Sequence, residues 1–186
     1  MTDVTDLLAK AGVEFVIGGS LASSVWGRER TTHDADIAAL ISEAQFEQLL
    51  PLIQWPYIID AESIRASLAD LEDFASGQIL NGESLDKVDL FLLKDEPYVQ
   101  SQLSRKRMFE VSPGHSLPFA SAEDVVITKL RWFELGNRIS DRQWNDIVQV
   151  LEIQQGELDE QYMARWAAHF GVLELLREAQ DQVTKD

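Results

Sequence analysis

Three aspartates and a pair of glycines carry the chemistry this sequence can do. Asp34 and Asp36 are separated by one residue in Asp34-Ala35-Asp36-Ile37. On a strand, that spacing points both carboxylates to one face. A third carboxylate, Asp89, sits in the apolar run Val88-Asp89-Leu90-Phe91, where a charge has to be solvated, paired or bound to a metal. Brought together on neighbouring strands, three such carboxylates form an oxygen cage of the kind that takes Mg²⁺. Upstream, Phe15-Val16-Ile17-Gly18-Gly19-Ser20 reads as a buried strand ending in two glycines. A strand-to-helix turn of this type brings backbone N–H groups against a phosphate. Together these parts point to phosphate chemistry on a nucleotide.

Each motif taken singly is weak. The chain has 16 Asp in 186 positions, so about one Asp-x-Asp pair arises by chance. Gly18-Gly19 alone is most often a simple turn, and Asp89 alone could be a solvated residue on an edge strand. Order and spacing change the odds. Gly-Gly-Ser at a strand end, 13 intervening residues, Asp-x-Asp on a strand, then an apolar-flanked Asp on a later strand is hard to obtain by accident.

The elements needed to position these groups are legible. Helical spacing covers residues 3–11, and Glu14–Ile17 reads as a strand followed by a helix N-capped by Ser20 and ended at Gly27. Asp34–Leu40 reads as a strand, and Ser42-Glu43-Ala44-Gln45 is a capping box that opens a helix. Trp55–Ile59 has strand character, whereas Glu62–Phe74 fits a helix only loosely. Gln78–Leu80 and Lys87–Leu93 read as strands joined through Asn81-Gly82. Asp95-Glu96-Pro97 opens a helix to about Lys106, and Met108–Val111 and Leu117–Phe119 flank the turn Ser112-Pro113-Gly114. From Ser121 onward the pattern is helical, over about 122–135, 140–154, 159–169 and 171–181. The expected fold class is therefore α/β (α+β): a small mixed β-sheet core with flanking helices over 1–120, then a C-terminal helical region over 121–186 packed on it.

Composition bounds the rest. The formal net charge is −16, from 16 basic and 32 acidic residues, which repels nucleic acid at long range. Arg105-Lys106-Arg107 reads as a solvated helix end. Cysteine is absent, which excludes disulfides and thiolate metal sites. No basic leader or long apolar run is present, so a cytoplasmic protein without a membrane span is expected. The three histidines have no metal spacing, and Trp132, Trp144 and Trp166 fall on helical patterns as core residues.

These motifs resemble those of the nucleotidyltransferase superfamily, with its DNA polymerase β-like fold. Ile17-Gly18-Gly19-Ser20, Asp34-Ala35-Asp36 and Val88-Asp89-Leu90 match its signature. The run Gly27-Arg28-Glu29-Arg30-Thr31-Thr32-His33-Asp34-Ala35-Asp36 is similar to that of a small bacterial branch that includes AbiEii-type toxins. So are the elements around Lys129 and around Arg142 and Asp146, although here Arg142 and Asp146 stand four apart.

The resemblance implies an Mg²⁺-dependent transfer of an NMP from an NTP to a hydroxyl. Asp34, Asp36 and Asp89 would be catalytic residues and metal ligands, and Gly18, Gly19, Ser20, Arg30, Thr32 and Lys129 nucleotide contacts. The scarcity of basic residues favours a protein or small-molecule acceptor over tRNA. The alternative is a catalytically inactive nucleotide-binding regulator, or a toxin–antitoxin component with an antitoxin-like partner.

Overall fold

A computed structural model describes residues 2–29, 31, 34–70 and 72–184. In chain order its elements are α1 (Thr2–Lys10), β1 (Glu14–Ile17), α2 (Gly19–Trp26), β2 (Asp34–Leu40) and α3 (Glu43–Leu49), then β3 (Tyr57–Ile59), α4 (Ala61–Ala69), β4 (Ser76–Asn81), β5 (Lys87–Leu92) and α5 (Pro97–Ser104). After these come β6 (Arg107–Ser112), β7 (His115–Phe119), α6 (Ala122–Leu135), α7 (Asp141–Ile153), α8 (Glu160–His169) and α9 (Leu173–Val183). The chain forms two compact units, one of residues 1–18 and 32–119, the other of residues 19–31 and 120–186. The segment carrying α2 thus groups with the C-terminal helices.

The first unit holds a seven-stranded mixed sheet in the order β3-β4-β5-β2-β1-β7-β6. β2 runs parallel to β5 and β1 parallel to β7, while the remaining neighbours are antiparallel. The expected α/β class is therefore observed. Period-two alternation explains how β2 and β5 sit. On β2, Ala35, Ile37 and Ala39 are buried and Asp34, Asp36 and Ala38 are not; on β5, Val88, Leu90 and Leu92 are buried and Lys87, Asp89 and Phe91 are not. The apolar set belongs to a buried core that also includes Leu8, Phe46 and Leu49, all fully buried.

The stretch left ambiguous by periodicity becomes α4. Asp60 caps it by accepting the Ser63 N–H, and Ile64 is wholly buried where a Cβ on Gly77 would come within 2.4 Å of its Cγ1. Its cap and its packing against β4 support a helix whose local pattern is weak.

The second unit is helical. Ser121, Ser140 and Asp159 cap α6, α7 and α8 by accepting N–H groups three residues on. The fully buried Asp124 carboxylate accepts from Ser121 Oγ at 2.8 Å and from Tyr162 Oη at 2.7 Å. α2 is tied in at its C-terminal end, where Trp26 Nε1 donates to the Ala120 carbonyl at 2.7 Å and Gln154 Nε2 donates to the Trp26 carbonyl at 2.8 Å. Trp166 is buried, and the Phe133 and Trp144 rings pack at 5.2 Å. One cap differs from expectation: α2 starts at Gly19, so Ser20 lies in its first turn and is not its N-cap.

Candidate functional site

The register of β2 on β5 builds the site. Asp36 is the cross-strand partner of Asp89, and Asp34 is the partner of Lys87. Because residues two apart share a face, all four side chains emerge on one side of the sheet. Asp89 is not on an edge strand, since β5 lies between β4 and β2. Its side chain is 19% exposed against 59% for Asp34, so the third carboxylate is the more enclosed one.

Asp89 is held from two sides. Lys87 Nζ lies 2.9 Å from its Oδ2 and Gln78 Nε2 donates to its Oδ1 at 2.9 Å. Lys87 Nζ also lies 3.9 Å from Asp34 Oδ1. The Lys87 ammonium is held above its ordinary range, first by its hydrogen bond with Asp89, which outweighs its loss of hydration, and further by the charges of Asp89, Asp34 and Asp36. Gln78 is reached through the antiparallel register of β4 on β5, which pairs it with Asp89.

Sequence reasoning missed both partners. The signal for Lys87 was present, because it stands two residues before Asp89 on one strand. No local signal marks Gln78, which depends on a register between strands.

The donor set suits a hard cation: three carboxylates on adjacent parallel strands, with an ammonium already drawn among them. As the side chains stand, no group of three or more His, Asp or Glu among the described residues converges closely enough to hold a metal ion. Asp89 is turned to its lysine and glutamine partners instead.

Gly18 adjoins this face. Its N–H donates to the Asp36 carbonyl at 2.9 Å, extending the β1–β2 ladder by one residue. A Cβ at Gly18 would meet no atom within 4 Å, so neither packing nor a positive φ requires glycine here. Gly19 differs. Its φ of +52° lies in the left-handed region, which a side chain disfavours. Arg30 and Thr32, expected as nucleotide contacts, and His33 lie outside the described residues.

In the helical unit, Ser20 follows Gly19 in α2 and its carbonyl accepts from Ser24 Oγ at 3.0 Å. Lys129 is buried. Its Nζ lies 2.9 Å from Asp146 Oδ2 and donates to Gln143 Oε1 at 3.0 Å, both side chains of the ion pair being under a tenth exposed. Asp146 also lines an open polar cleft of about 380 Å³ with Arg28, Glu29, Arg142, Asn145 and Gln149. Arg28 there pairs with Glu152 at 3.2 Å.

No family model and no curated protein matches the sequence. Solved structures do match the fold. The antibiotic-resistance factor ANT(2'')-Ia, in its solution structure, superposes with a TM-score of 0.55 at 12% identity, covering 95% of this chain and 94% of that one. A crystal structure of ANT(2'')-Ia in complex with adenylyl-2''-tobramycin gives 0.54 at 14% identity, over 91% and 93% of the two chains. An antigenic nucleotidyltransferase-like protein from Paracoccidioides brasiliensis gives 0.55 at 14% identity, over 97% and 89%. At such identities the likeness is one of fold: the chain shares the fold of these proteins along nearly its whole length.

Proposed function

We propose that this chain is a nucleotidyltransferase that moves an NMP from an NTP to a hydroxyl acceptor, with Asp34, Asp36 and Asp89 as its catalytic face. The observation that carries the reading is the β2–β5 register, which makes Asp36 and Asp89 cross-strand partners with Asp34 two residues along the same face. The shared fold with ANT(2'')-Ia, a protein solved with an adenylylated small molecule, supports the same reaction class.

In this reading Asp34 and Asp36 would hold the cation that accompanies the triphosphate. A divalent ion such as Mg²⁺, when bound, neutralises the charge that builds on the phosphate oxygens. Asp89, the more enclosed carboxylate, would help hold a second ion, or would take the proton of the acceptor hydroxyl. The freed oxygen forms the bond to the α-phosphorus as the bond to pyrophosphate breaks. Gly18 leaves room for a phosphate to approach the backbone, and Gly19 and Ser20 continue that segment into the start of a helix. Arg30 and Thr32 join the proposed contacts through the AbiEii-type resemblance. For Lys129 a nucleotide contact requires the ammonium to leave Asp146.

The acidic balance of the chain disfavours a polyanionic acceptor, so we place a small molecule or a protein hydroxyl ahead of tRNA. Incubation with α-labelled NTPs, Mg²⁺, and either total RNA, protein or a small-molecule extract reads this directly. Label in a small molecule or protein is expected. Asp89→Asn should abolish it while leaving NTP affinity within about tenfold, roughly 1.4 kcal/mol. Nucleotide binding without transfer to any fraction would make the chain a nucleotide-binding regulator instead, and label mainly in tRNA would reverse the acceptor preference.

A further inference from the structure

Among the described residues, Lys87 is a cation seated on the carboxylate face with no part in the proposed transfer. Its placement is fixed by the chain. It opens β5, opposite Asp34 in register and two residues before Asp89 on the same face. Its Nζ is 2.9 Å from Asp89 Oδ2 and 3.9 Å from Asp34 Oδ1, with the side chain 31% exposed.

Three carboxylates gathered on one face repel one another. An ammonium tethered among them relieves that repulsion when no other cation is present. The same ammonium occupies Asp89 Oδ2, one of the oxygens that a metal ion would need, and Gln78 Nε2 occupies Oδ1. The carboxylates have the right type and register, and among the described residues they do not converge on a point.

We propose that Lys87 is a tethered counter-cation of this face, which orders Asp89 and Asp34 in the metal-free protein and leaves Asp89 when a divalent ion binds. The inference rests on the assignment of Asp34, Asp36 and Asp89 as the metal-holding set. Two consequences of opposite sign follow. Without Lys87 the metal-free protein loses its compensating charge and becomes less stable. Without Lys87 the face also loses its competitor and takes a divalent ion more tightly. A lysine that merely braced the fold would give the first effect and not the second. A lysine that gripped phosphate would weaken nucleotide binding and leave metal affinity in the absence of nucleotide unchanged.

The test uses the full chain and Mn²⁺ alone, with affinity read by calorimetry and by the electron-spin signal of free Mn²⁺. Lys87→Met is expected to bind Mn²⁺ about tenfold more tightly than wild type, since a like charge beside the ion has gone. Its metal-free melting temperature is expected to fall by up to about 2–4 °C. Lys87→Arg keeps the charge and should bind Mn²⁺ no more tightly than wild type. Lysine-selective ¹³C/¹⁵N spectra add a direct readout: the Lys87 ammonium signal should be that of an ordered, hydrogen-bonded group without metal and a mobile one with Mg²⁺. If Lys87→Met fails to fold, Lys87→Gln, which keeps most of the stem, carries the same titration.

Mn²⁺ affinity unchanged or weakened in Lys87→Met and Lys87→Gln would overturn the proposal. The metal-site reading would still stand if Asp34→Asn/Asp36→Asn lost the ion. If wild type and Lys87 variants alike take no Mn²⁺, the metal-site reading itself fails and this inference with it.

Discussion

Two lysines of this chain each form an ion pair at 2.9 Å with an aspartate, and they are built for different purposes. Lys129 and Asp146 in the helical unit are 6% and 7% exposed, with Gln143 accepting a second ammonium hydrogen bond. Lys87 on the sheet is 31% exposed, and its one charge faces two acids, Asp89 at 2.9 Å and Asp34 at 3.9 Å. A closed, desolvated pair is expensive to open and belongs to the fold. A half-open, unbalanced one is cheap to exchange and leaves room for another cation.

The adjacent glycines repeat the contrast. Gly19 is accounted for by its backbone, with φ at +52°, whereas nothing within 4 Å and no positive φ demands glycine at Gly18. A residue whose type the fold does not explain is the better candidate for a ligand.

The largest effect should come from breaking the closed pair. Lys129→Met takes from the buried Asp146 its ammonium partner at 2.9 Å, and is expected to destabilise the protein by roughly 3–5 kcal/mol. Denaturant unfolding measures it. Adding Asp146→Leu should recover much of the loss, because an apolar pair can replace a buried ionic one. A Lys129→Met protein with unaltered stability but lost NTP binding would instead put Lys129 back among the nucleotide contacts.

Next come the glycines. Gly19→Ala should cost about 1–2 kcal/mol of stability through its left-handed backbone. Gly18→Ala should leave stability within roughly 0.5 kcal/mol while weakening NTP binding by about tenfold or more, some 1.4 kcal/mol. Equal stability losses at both positions would erase the distinction between them.

That pair also marks how far the sequence could be read. The strands Glu14–Ile17 and Asp34–Leu40 and the capping box at Ser42 were legible with their boundaries, because period-two burial and side-chain capping are local signals. The shared face of Asp34 and Asp36 followed from spacing alone. What was not legible depends on register. Asp36 meets Asp89, and Gln78 meets Asp89 from the other side, only because of how β2, β5 and β4 align. The grouping of α2 with the C-terminal helices is similarly non-local, resting on Trp26 with Ala120 and Gln154. Lys87 was within reach of the period-two rule, but a carboxylate draws the eye to acids and not to the base beside it.

The smallest effect concerns how salt acts on the two pairs. Lys87→Met should cost at most about 1 kcal/mol in metal-free protein, as exposed pairs usually do. That difference should shrink as NaCl is raised, because the Debye length falls from about 30 Å at 0.01 M to about 3 Å at 1 M. The Lys129→Met difference should hardly change, since its charges are out of reach of the ions that screen. The choice of pH follows from linkage. The Lys87 ammonium is held above its ordinary value of 10.5, so its contribution is fully present below that value and is lost only as pH rises through the raised one. A salt series at pH 7–8 therefore varies screening alone, with the charge on Lys87 constant. If the Lys87→Met difference kept its size across the whole series, Lys87 would be a closed pair like Lys129, and the exchange with a divalent ion would lose its physical basis.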